Sequence, residues 1–322
     1  MKTQPVRFHD AHPGIADLRQ EVLAGLAARP RAIPAKFFYD ERGSGLFDQI
    51  CELPEYYQTR TEMAILRDAL PELLDHIGKE CTLIELGSGA SKKVRLLLEA
   101  LRPSGYVGVD ISKEFLLTST HTLAHDYPWL EVHAVCVDFS SGLEIPYCDD
   151  AAHNVAFFPG SSIGNFDPDD AVDLLSDIGM MVGQGGHLLI GVDLKKSVAR
   201  LNAAYNDSAG VTAAFNLNLL QRIRNELDSD IDPENFEHYA FYNPGAGRIE
   251  MHLISRVSQI VHVDGKRFAF EVGESLHTEN SYKYTVAEFD GLANRAGFRR
   301  QALWLDDEGL FSVHLLRFGS RG

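Results

Sequence analysis

Short apolar runs alternate with segments of helical periodicity through the middle of the chain. The apolar runs predict strands, and the intervening segments, with apolar residues three and four positions apart, predict helices. The predicted strands are 82–86, 106–110, 131–137, 154–158 and 187–194, and the predicted helices between them are 92–101, 113–125 and 168–182. Strands that alternate with helices indicate an α/β fold with a parallel, doubly wound sheet.

The chain before this region has a different pattern. Residues 1–12 are polar and are expected to be loose, and 17–28 predicts an amphipathic helix that ends before Pro30. The next segment predicts a loop, KFFYDERGSGLFDQI, and then a helix within LPEYYQTRTEMAILRDAL. No strand alternates with a helix here, so the sheet is expected to begin near Cys81.

The pattern changes again after residue 195. A helix-rich segment is followed by RIEMHLISRVSQIVHV and KRFAFEV, which are typical of antiparallel strands. A helix near 285–296 and strands at 299–305 and 311–318 then return to the first pattern. An antiparallel hairpin of this kind is a common edge for an otherwise parallel sheet.

These changes predict two lobes. The expected core consists of residues 61–195 and 281–322. The expected second lobe consists of residues 1–60 and of an insertion, 196–280. Such a lobe could cover the carboxyl ends of the core strands, where ligands bind in open α/β sheets.

A glycine turn follows the first predicted strand. TLIELGSGASKK contains Glu85, Gly87 and Gly89, and the second strand ends in Asp110, about 20 residues past the turn. This layout is typical of a nucleotide-type cofactor site in a Rossmann-like sheet, where the acid accepts hydrogen bonds from a ribose. Lys92 replaces the third glycine of a dinucleotide fingerprint, and a carboxylate at Glu85 attracts an ammonium but repels a phosphate. The turn therefore favours S-adenosylmethionine over NAD.

Two further segments follow core strands. Asp138 ends the third strand, where it could accept from an adenine amino group beside Phe139 or simply cap a turn. After the fourth strand, FFPGSSIGNF matches the nucleophile elbow G-x-S-x-G, which would make Ser162 the nucleophile of an α/β-hydrolase. That elbow must turn directly into a helix, whereas here the helix is expected to start only at Asp167. The competing interpretation is a loop whose carbonyls and Asn165 amide hold an ammonium and a carboxylate.

The composition of the chain indicates which binding partners and which cellular location to expect. The formal net charge is −16, from 46 acidic and 30 basic residues, so a polyanion such as nucleic acid is disfavoured and small basic or zwitterionic substrates are favoured. The four cysteines show no C-x-x-C spacing, which with no signal peptide or membrane-length apolar run predicts a cytoplasmic protein with reduced thiols. His121 and His125 are four residues apart but no nearby acid completes a metal site, and we expect none.

A group of aromatic residues precedes the core. Its members are Phe37, Phe38, Tyr39, Phe47, Tyr56 and Tyr57. They are equally consistent with a small additional hydrophobic core and with the wall of a pocket around a methylated ammonium.

The motifs together resemble a known family. KFFYDERGSGLFDQICELPEYYQTRTE, IELGSGASKK, FFPGSSIGNF, YNDSAGVTAAFN, RIEM and TENSYKY are similar to the L-histidine Nα-methyltransferase family of ergothioneine biosynthesis. The resemblance runs from about residue 15 to the C-terminus. It implies a class I methyltransferase core with a substrate-binding lobe, and trimethylation of the histidine α-amine to hercynine with S-adenosylmethionine as methyl donor.

The resemblance also implies the residues of the site. The cofactor positions would be Gly87, Lys93, Asp110, Asp138 and Phe139. The substrate positions would be Tyr56, Gly160, Asn165, Tyr205, Thr212, Met251, Glu279 and Ser281, with Tyr39 and Asn165 taking part in catalysis. Within this set Glu279 and Ser281 would bind the imidazole, and Met251 would line the pocket.

Elementary chemistry agrees with these roles. Glu279 and Ser281, two apart on an extended segment, face the same side and could serve both imidazole nitrogens. Methyl transfer needs a neutral amine aligned with the methyl group, and a solvent-connected tyrosine or water is the expected base.

Two alternative functions stay open: a relative acting on another amino acid such as tryptophan or arginine, and a non-enzymatic S-adenosylmethionine-binding protein. We expect a monomer that binds histidine and its mono- and dimethyl forms.

Overall fold

The computed structural model describes residues 6–11, 15–138, 145 and 153–319. The chain divides into two compact units. The core unit contains the described residues of 1–12, 58–195 and 283–322, and the second unit contains those of 13–57 and 196–282. No helix in the described ranges is long and apolar enough to cross a membrane.

The described residues form strands and helices in both units. Strands β1 to β14 span, in chain order, Arg7–Ala11, Arg31–Ala32, Thr82–Leu86, Gly105–Asp110, Glu131–Val137, Asn154–Phe158, His187–Asp193, Phe236–Asn243, Arg248–Ser255, Gln259–Val263, Lys266–Phe270, Ser275–Tyr282, Phe298–Leu305 and Phe311–Phe318. Helices α1 to α9 span, in chain order, Ile15–Ala27, Glu41–Ile50, Gln58–Ile77, Val94–Leu101, Lys113–Asp126, Pro168–Val182, Val198–Ala204, Val211–Glu226 and Val286–Arg295.

The core unit is built on an eight-stranded sheet of order β1-β5-β4-β3-β6-β7-β14-β13. The first six strands in this order are parallel, and β14 pairs antiparallel with both β7 and β13. The chain runs outward from β3 to β5 and then returns to β6 on the other side of β3. The predicted parallel, doubly wound sheet with an antiparallel edge hairpin is therefore confirmed, and its crevice lies at the carboxyl ends of β3 and β6.

Helical periodicity explains how the helices cover this sheet. In α4 the apolar residues Val94, Leu97, Leu98 and Leu101 recur at three- and four-residue spacing and are fully buried. They belong to one hydrophobic cluster with Leu83 and other residues of the strands. Burial of an apolar side chain of this size contributes about 1.5–3 kcal/mol, so the sequence pattern dictates which face of α4 meets the sheet.

Two expectations about the N-terminal region are wrong. Residues 7–11 form β1, which pairs in parallel with β5 at the edge of the core sheet, rather than lying loose in the second lobe. A polar edge strand is stable here because main-chain hydrogen bonds supply the pairing and Phe8 packs beside Leu116 and Cys136. The segment expected as a loop contains α2, which starts after Asp40, whose carboxylate accepts from Gly43 N at 2.7 Å.

The second unit contains a four-stranded sheet of order β2-β12-β9-β8 and a β10–β11 hairpin, so the antiparallel strands predicted after residue 195 are present. The pairing of β12 with β9 shifts between His277 and Glu279, which leaves Thr278 as an extra residue in β12. After this bulge, Glu279 lies opposite Met251.

Candidate active site

The glycine turn is held against the end of β4. Gly87 and Gly89 have φ of +69° and +48°, a conformation that side chains rarely adopt. Gly89 N donates to Asp110 Oδ2, and Ser112 N donates to Asp110 Oδ1, both at 2.9 Å. A carboxylate has about four acceptor positions, so Asp110 retains capacity for a ribose diol. Asp110 therefore both shapes the loop and offers the acceptor that a nucleoside needs.

Asp110→Ala is expected to weaken S-adenosylmethionine binding by roughly 1.5–3 kcal/mol, the scale of a charge-assisted hydrogen bond. Burial raises the pKa of this carboxyl, while its backbone donors favour the charged form. Isothermal calorimetry on the folded variant measures the loss. Glu114→Ala, which removes an exposed acid from the first turn of α5, is the control and should leave affinity unchanged. Equal affinities for both variants would exclude the ribose role.

Glu85 lies one residue before the end of β3 and is 1% exposed. The Tyr106 hydroxyl donates to Glu85 Oε2 at 2.6 Å. Burial raises the pKa of Glu85 to about 8, although the Tyr106 hydrogen bond and the Lys93 charge oppose the shift. The predicted attraction between Glu85 and a cofactor ammonium stays a prediction, and the raised pKa reduces the charge that Glu85 offers near neutral pH.

Glu85→Gln is expected to gain stability relative to the native protein as pH rises from about 4.5 to about 8. The unfolded chain releases the Glu85 proton near 4.5, whereas the folded chain holds it to about 8, so deprotonation in this window favours unfolding. Urea denaturation at several pH values measures the difference. Glu99→Gln, at an exposed acid that accepts from the Tyr127 hydroxyl, is the matched control. A pH-independent Glu85→Gln effect would contradict the assignment.

Lys93 belongs to a buried cluster that the sequence did not predict. Its Nζ lies 2.5 Å from Oε2 of Glu62, a residue of α3 with a fully buried side chain. Gly160 N donates to both carboxylate oxygens of Glu62 at 3.0 Å. The signal in the sequence was periodicity, because Glu62 lies on the same buried face of α3 as Ile65 and Leu66. A charged residue at such a position requires a partner.

The loop after β6 does not have the geometry of a hydrolase elbow. Ser162 begins a short 3₁₀ helix, Ser162–Asn165, and α6 starts only at Pro168. The Ser162 hydroxyl donates to the Pro159 carbonyl at 3.1 Å. The serine of this loop with a left-handed backbone conformation is Ser161, with φ of +61°, and not Ser162. The loop therefore presents Asn165, which is partly exposed, rather than a nucleophile at a strand-to-helix turn.

A second buried ion pair lies at the end of β7. Lys283 Nζ is 2.9 Å from Asp193 Oδ2, and the two side chains are 1% and 0% exposed. Asp193 N donates to Ser161 Oγ at 2.9 Å, so the pair is adjacent to the loop after β6. Sequence reasoning missed it, although an acid ending an apolar strand and a lysine within the aromatic run SYKY were visible signals.

Asp138 follows β5 and is 7% exposed, which is consistent with a ligand-facing acid and equally with a turn cap. Phe139 lies outside the described residues. Their proposed contacts with adenine stay predictions.

His121 and His125 are exposed on α5, and no group of three or more metal-ligating side chains occurs in the described part of the chain.

In the second unit, a line of aromatic rings leads from Tyr39 to Tyr205. Ring centroids are 5.8 Å apart for Tyr39 and Phe47, 6.3 Å for Phe47 and Tyr56, and 6.3 Å for Tyr56 and Tyr205. Burial, with smaller contributions from Tyr205 and Cys51, raises the pKa of Tyr56 well above its usual value. Tyr56 therefore stays a neutral phenol, which can act as a hydrogen-bond donor.

The predicted imidazole residues lie beside these rings. Glu279 and Met251 are cross-strand partners, so their side chains share a face of the sheet. The Tyr205 hydroxyl donates to Ser281 Oγ at 2.9 Å. Thr212 is buried at the start of α8, where its N–H donates to Asp207. The second unit thus brings together tyrosines, a carboxylate, a hydroxyl and a thioether, a combination that suits a small polar molecule with an aromatic ring.

The strand order, the glycine turn after β3 and the acids at the ends of β4 and β5 define a class I S-adenosylmethionine-dependent methyltransferase. The profile of the family described as histidine-specific methyltransferase, SAM-dependent, matches residues 18–318. The chain belongs to this family. The membership confirms the resemblance found in the sequence, the enzyme class and the cofactor.

Characterised relatives cover most of the chain. A histidine N-alpha-methyltransferase of Mycolicibacterium smegmatis is 41% identical over 305 residues, which is 92% of this chain and 94% of that protein. The protein of the same name from Mycobacterium tuberculosis is 40% identical over the same shares. Ergothioneine biosynthesis protein 1 of Neurospora crassa is 32% identical over 89% of this chain and 33% of its own length.

Proposed function

We infer that this protein methylates the α-amine of L-histidine with S-adenosylmethionine and carries the reaction to the trimethyl product, hercynine, in ergothioneine biosynthesis. The observation that carries the inference is the family match over residues 18–318, together with Glu279 placed opposite Met251. Histidine is favoured over another amino acid substrate because Glu279 and Ser281, a carboxylate and a hydroxyl on one strand, suit the two nitrogens of an imidazole.

The core unit has the chemistry to hold the cofactor. Among the described residues, no heavy atom other than those of Gly87 and its two chain neighbours lies within 4 Å of a Cβ built on Gly87. The described part of the turn therefore leaves space there, and Asp110 offers its carboxylate. S-adenosylmethionine supplies an electrophilic methyl group on a sulfonium when bound. We propose that Gly87, Lys93 and Asp110 hold it, with Asp138 and Phe139 at the adenine.

The substrate is proposed to be recognised at both of its ends. Glu279 would accept from the imidazole N–H, Ser281 would serve the other nitrogen, and Met251 would contact the ring. Tyr56, Tyr205 and Asn165, with the Gly160 carbonyl, would hold the α-carboxylate and amine, with Thr212 lining the site. Because Tyr56 and Tyr205 are buried, they would act by positioning, and Tyr39 and Asn165 are proposed to orient the reacting amine.

Mass spectrometry tests the proposal. Histidine incubated with the protein and S-adenosylmethionine should gain one, two and three methyl groups on the α-amine, and fragmentation should leave the imidazole unmodified. Methylation of a ring nitrogen, or no reaction with any of the twenty standard amino acids, would refute it.

We also propose that the protein is a cytoplasmic monomer without a nucleic-acid partner. The net charge of −16 supports the last point, because it repels a polyanion. Light scattering coupled to size exclusion would detect a dimer and so contradict the monomer.

A further inference from the structure

We propose that Glu62 is a positioning residue that fixes two groups at once, the Lys93 ammonium of the cofactor site and the neighbouring backbone turn at Gly160. The proposal rests on the proposed function only in taking S-adenosylmethionine as the ligand of the core unit. Glu62 touches neither reactant in this scheme and acts through the groups it holds.

The contacts show how one carboxylate reaches both parts. Glu62 Oε2 is 2.5 Å from Lys93 Nζ, and both oxygens accept from Gly160 N at 3.0 Å. A Cβ built on Gly160 would lie 3.4 Å from Lys93 Nζ, so the ammonium and the turn are neighbours. Lysine has three N–H donors, and the contact with Glu62 leaves others for a ligand. The φ of Gly160 is +79°, and its anchored N–H fixes the turn that presents its carbonyl.

The sheet makes room for this carboxylate. Gly191 lies in β7, between the apolar residues Ile190 and Val192. A Cβ built on Gly191 would lie 2.0 Å from Glu62 Oε1, so any side chain there would displace the carboxylate. Glycine inside a strand costs stability and commonly marks a close approach. Two positions far apart in sequence are therefore matched so that a charge can occupy this place.

Stability alone does not account for the arrangement. Taking a carboxylate and an ammonium out of water is costly, and well-packed apolar residues of similar size are often as stabilising as a buried ion pair. Glu62 is 0% exposed, and the Lys93 side chain is 16% exposed. The presence of Glu62 beside Lys93 and Gly160 is instead explained by a carboxylate that holds the Lys93 side chain in one position, where it meets a ligand.

The test is a double-mutant cycle with S-adenosylmethionine as the probe and calorimetry as the readout. Glu62→Gln keeps the size and an acceptor for Gly160 N but loses the ion pair. Its affinity should fall at least about tenfold, as expected when a binding group is misplaced. Lys93→Met should lose a similar factor, and the double variant should be no more than about twofold worse than Lys93→Met alone, because both changes remove the same interaction.

The control is Glu72→Gln, the same substitution on the same helix at an acid that accepts from Trp304 Nε1 at 2.7 Å. It should leave affinity unchanged. An unchanged affinity of Glu62→Gln, or losses that multiply in the double variant, would overturn the proposal. If Glu62→Gln does not fold, Gly191→Ala displaces the carboxylate without removing it, and the proposal fails if this variant binds normally. Because binding is measured without histidine, the outcome is independent of whether histidine is the substrate.

Discussion

Lys283→Met should lower the free energy of unfolding by about 3–5 kcal/mol, the usual cost of leaving one buried charge without its partner. The change removes the ammonium 2.9 Å from Asp193 and leaves that carboxylate in a site with 0% exposure. Gln58 Nε2, 3.5 Å from Asp193 Oδ2, is a neutral donor and does not replace the ammonium charge. Urea denaturation of both proteins, followed by circular dichroism, measures the difference.

Two further variants make this prediction specific. Adding Asp193→Asn to Lys283→Met removes the charge that the Lys283 ammonium neutralised and should recover part of the loss. Arg295→Met breaks an exposed ion pair with Asp169, whose side chains are 55% and 87% exposed, and should cost less than about 1 kcal/mol. If Lys283→Met were no more destabilising than Arg295→Met, the buried pair would not contribute as the structure indicates.

Glu279→Ala should lower kcat/KM for histidine at least about tenfold, because the imidazole N–H would lose its acceptor in a partly buried site. The truncation also opens space opposite the thioether of Met251. An aromatic amino acid such as tryptophan needs space more than an acceptor, so it should lose less than histidine or gain. The measurement is kcat/KM for both substrates with the native protein and the variant.

The comparison between substrates decides the interpretation. Asn165 and Tyr205 would contact groups that all α-amino acids share, so they should not discriminate. Glu237→Ala removes an exposed acid from β8 of the same sheet and should change neither value. Equal losses for histidine and tryptophan in Glu279→Ala would mean that Glu279 does not recognise the side chain, and the proposed imidazole site would be wrong.

The regular part of the fold was predictable because periodicity reports burial. Strands β3, β5 and β6 and helix α6 begin and end at the residues that the pattern predicted. α2 was missed because Gly43 and Gly45 lower helix propensity. The fold nevertheless needs glycine at position 43, because a Cβ there would lie 1.7 Å from the Phe38 carbonyl oxygen. β1 was missed because an edge strand depends on main-chain pairing with β5, which leaves little trace in side-chain pattern.

The candidate site also contains residues whose placement was predictable from a local motif and residues whose placement was not. The position of Asp110 beside the glycine turn was predictable because the turn and the strand that carries Asp110 follow each other in the chain. Glu62 and Lys93, or Asp193 and Lys283, become partners only through the fold. A single sequence shows each of these charges as an exception to an apolar pattern, but it does not show which exceptions meet.

The extra residue at Thr278 determines the chemistry that β12 presents. If β12 continued the pairing of His277 with His252 without a shift, Thr278 would lie opposite Met251 and Glu279 opposite Glu250. Two carboxylates would then repel each other across the strands, on the other face of the sheet. In a sheet of this kind, substrate preference can therefore change through a one-residue insertion or deletion in a strand, while every side chain in the pocket keeps its identity.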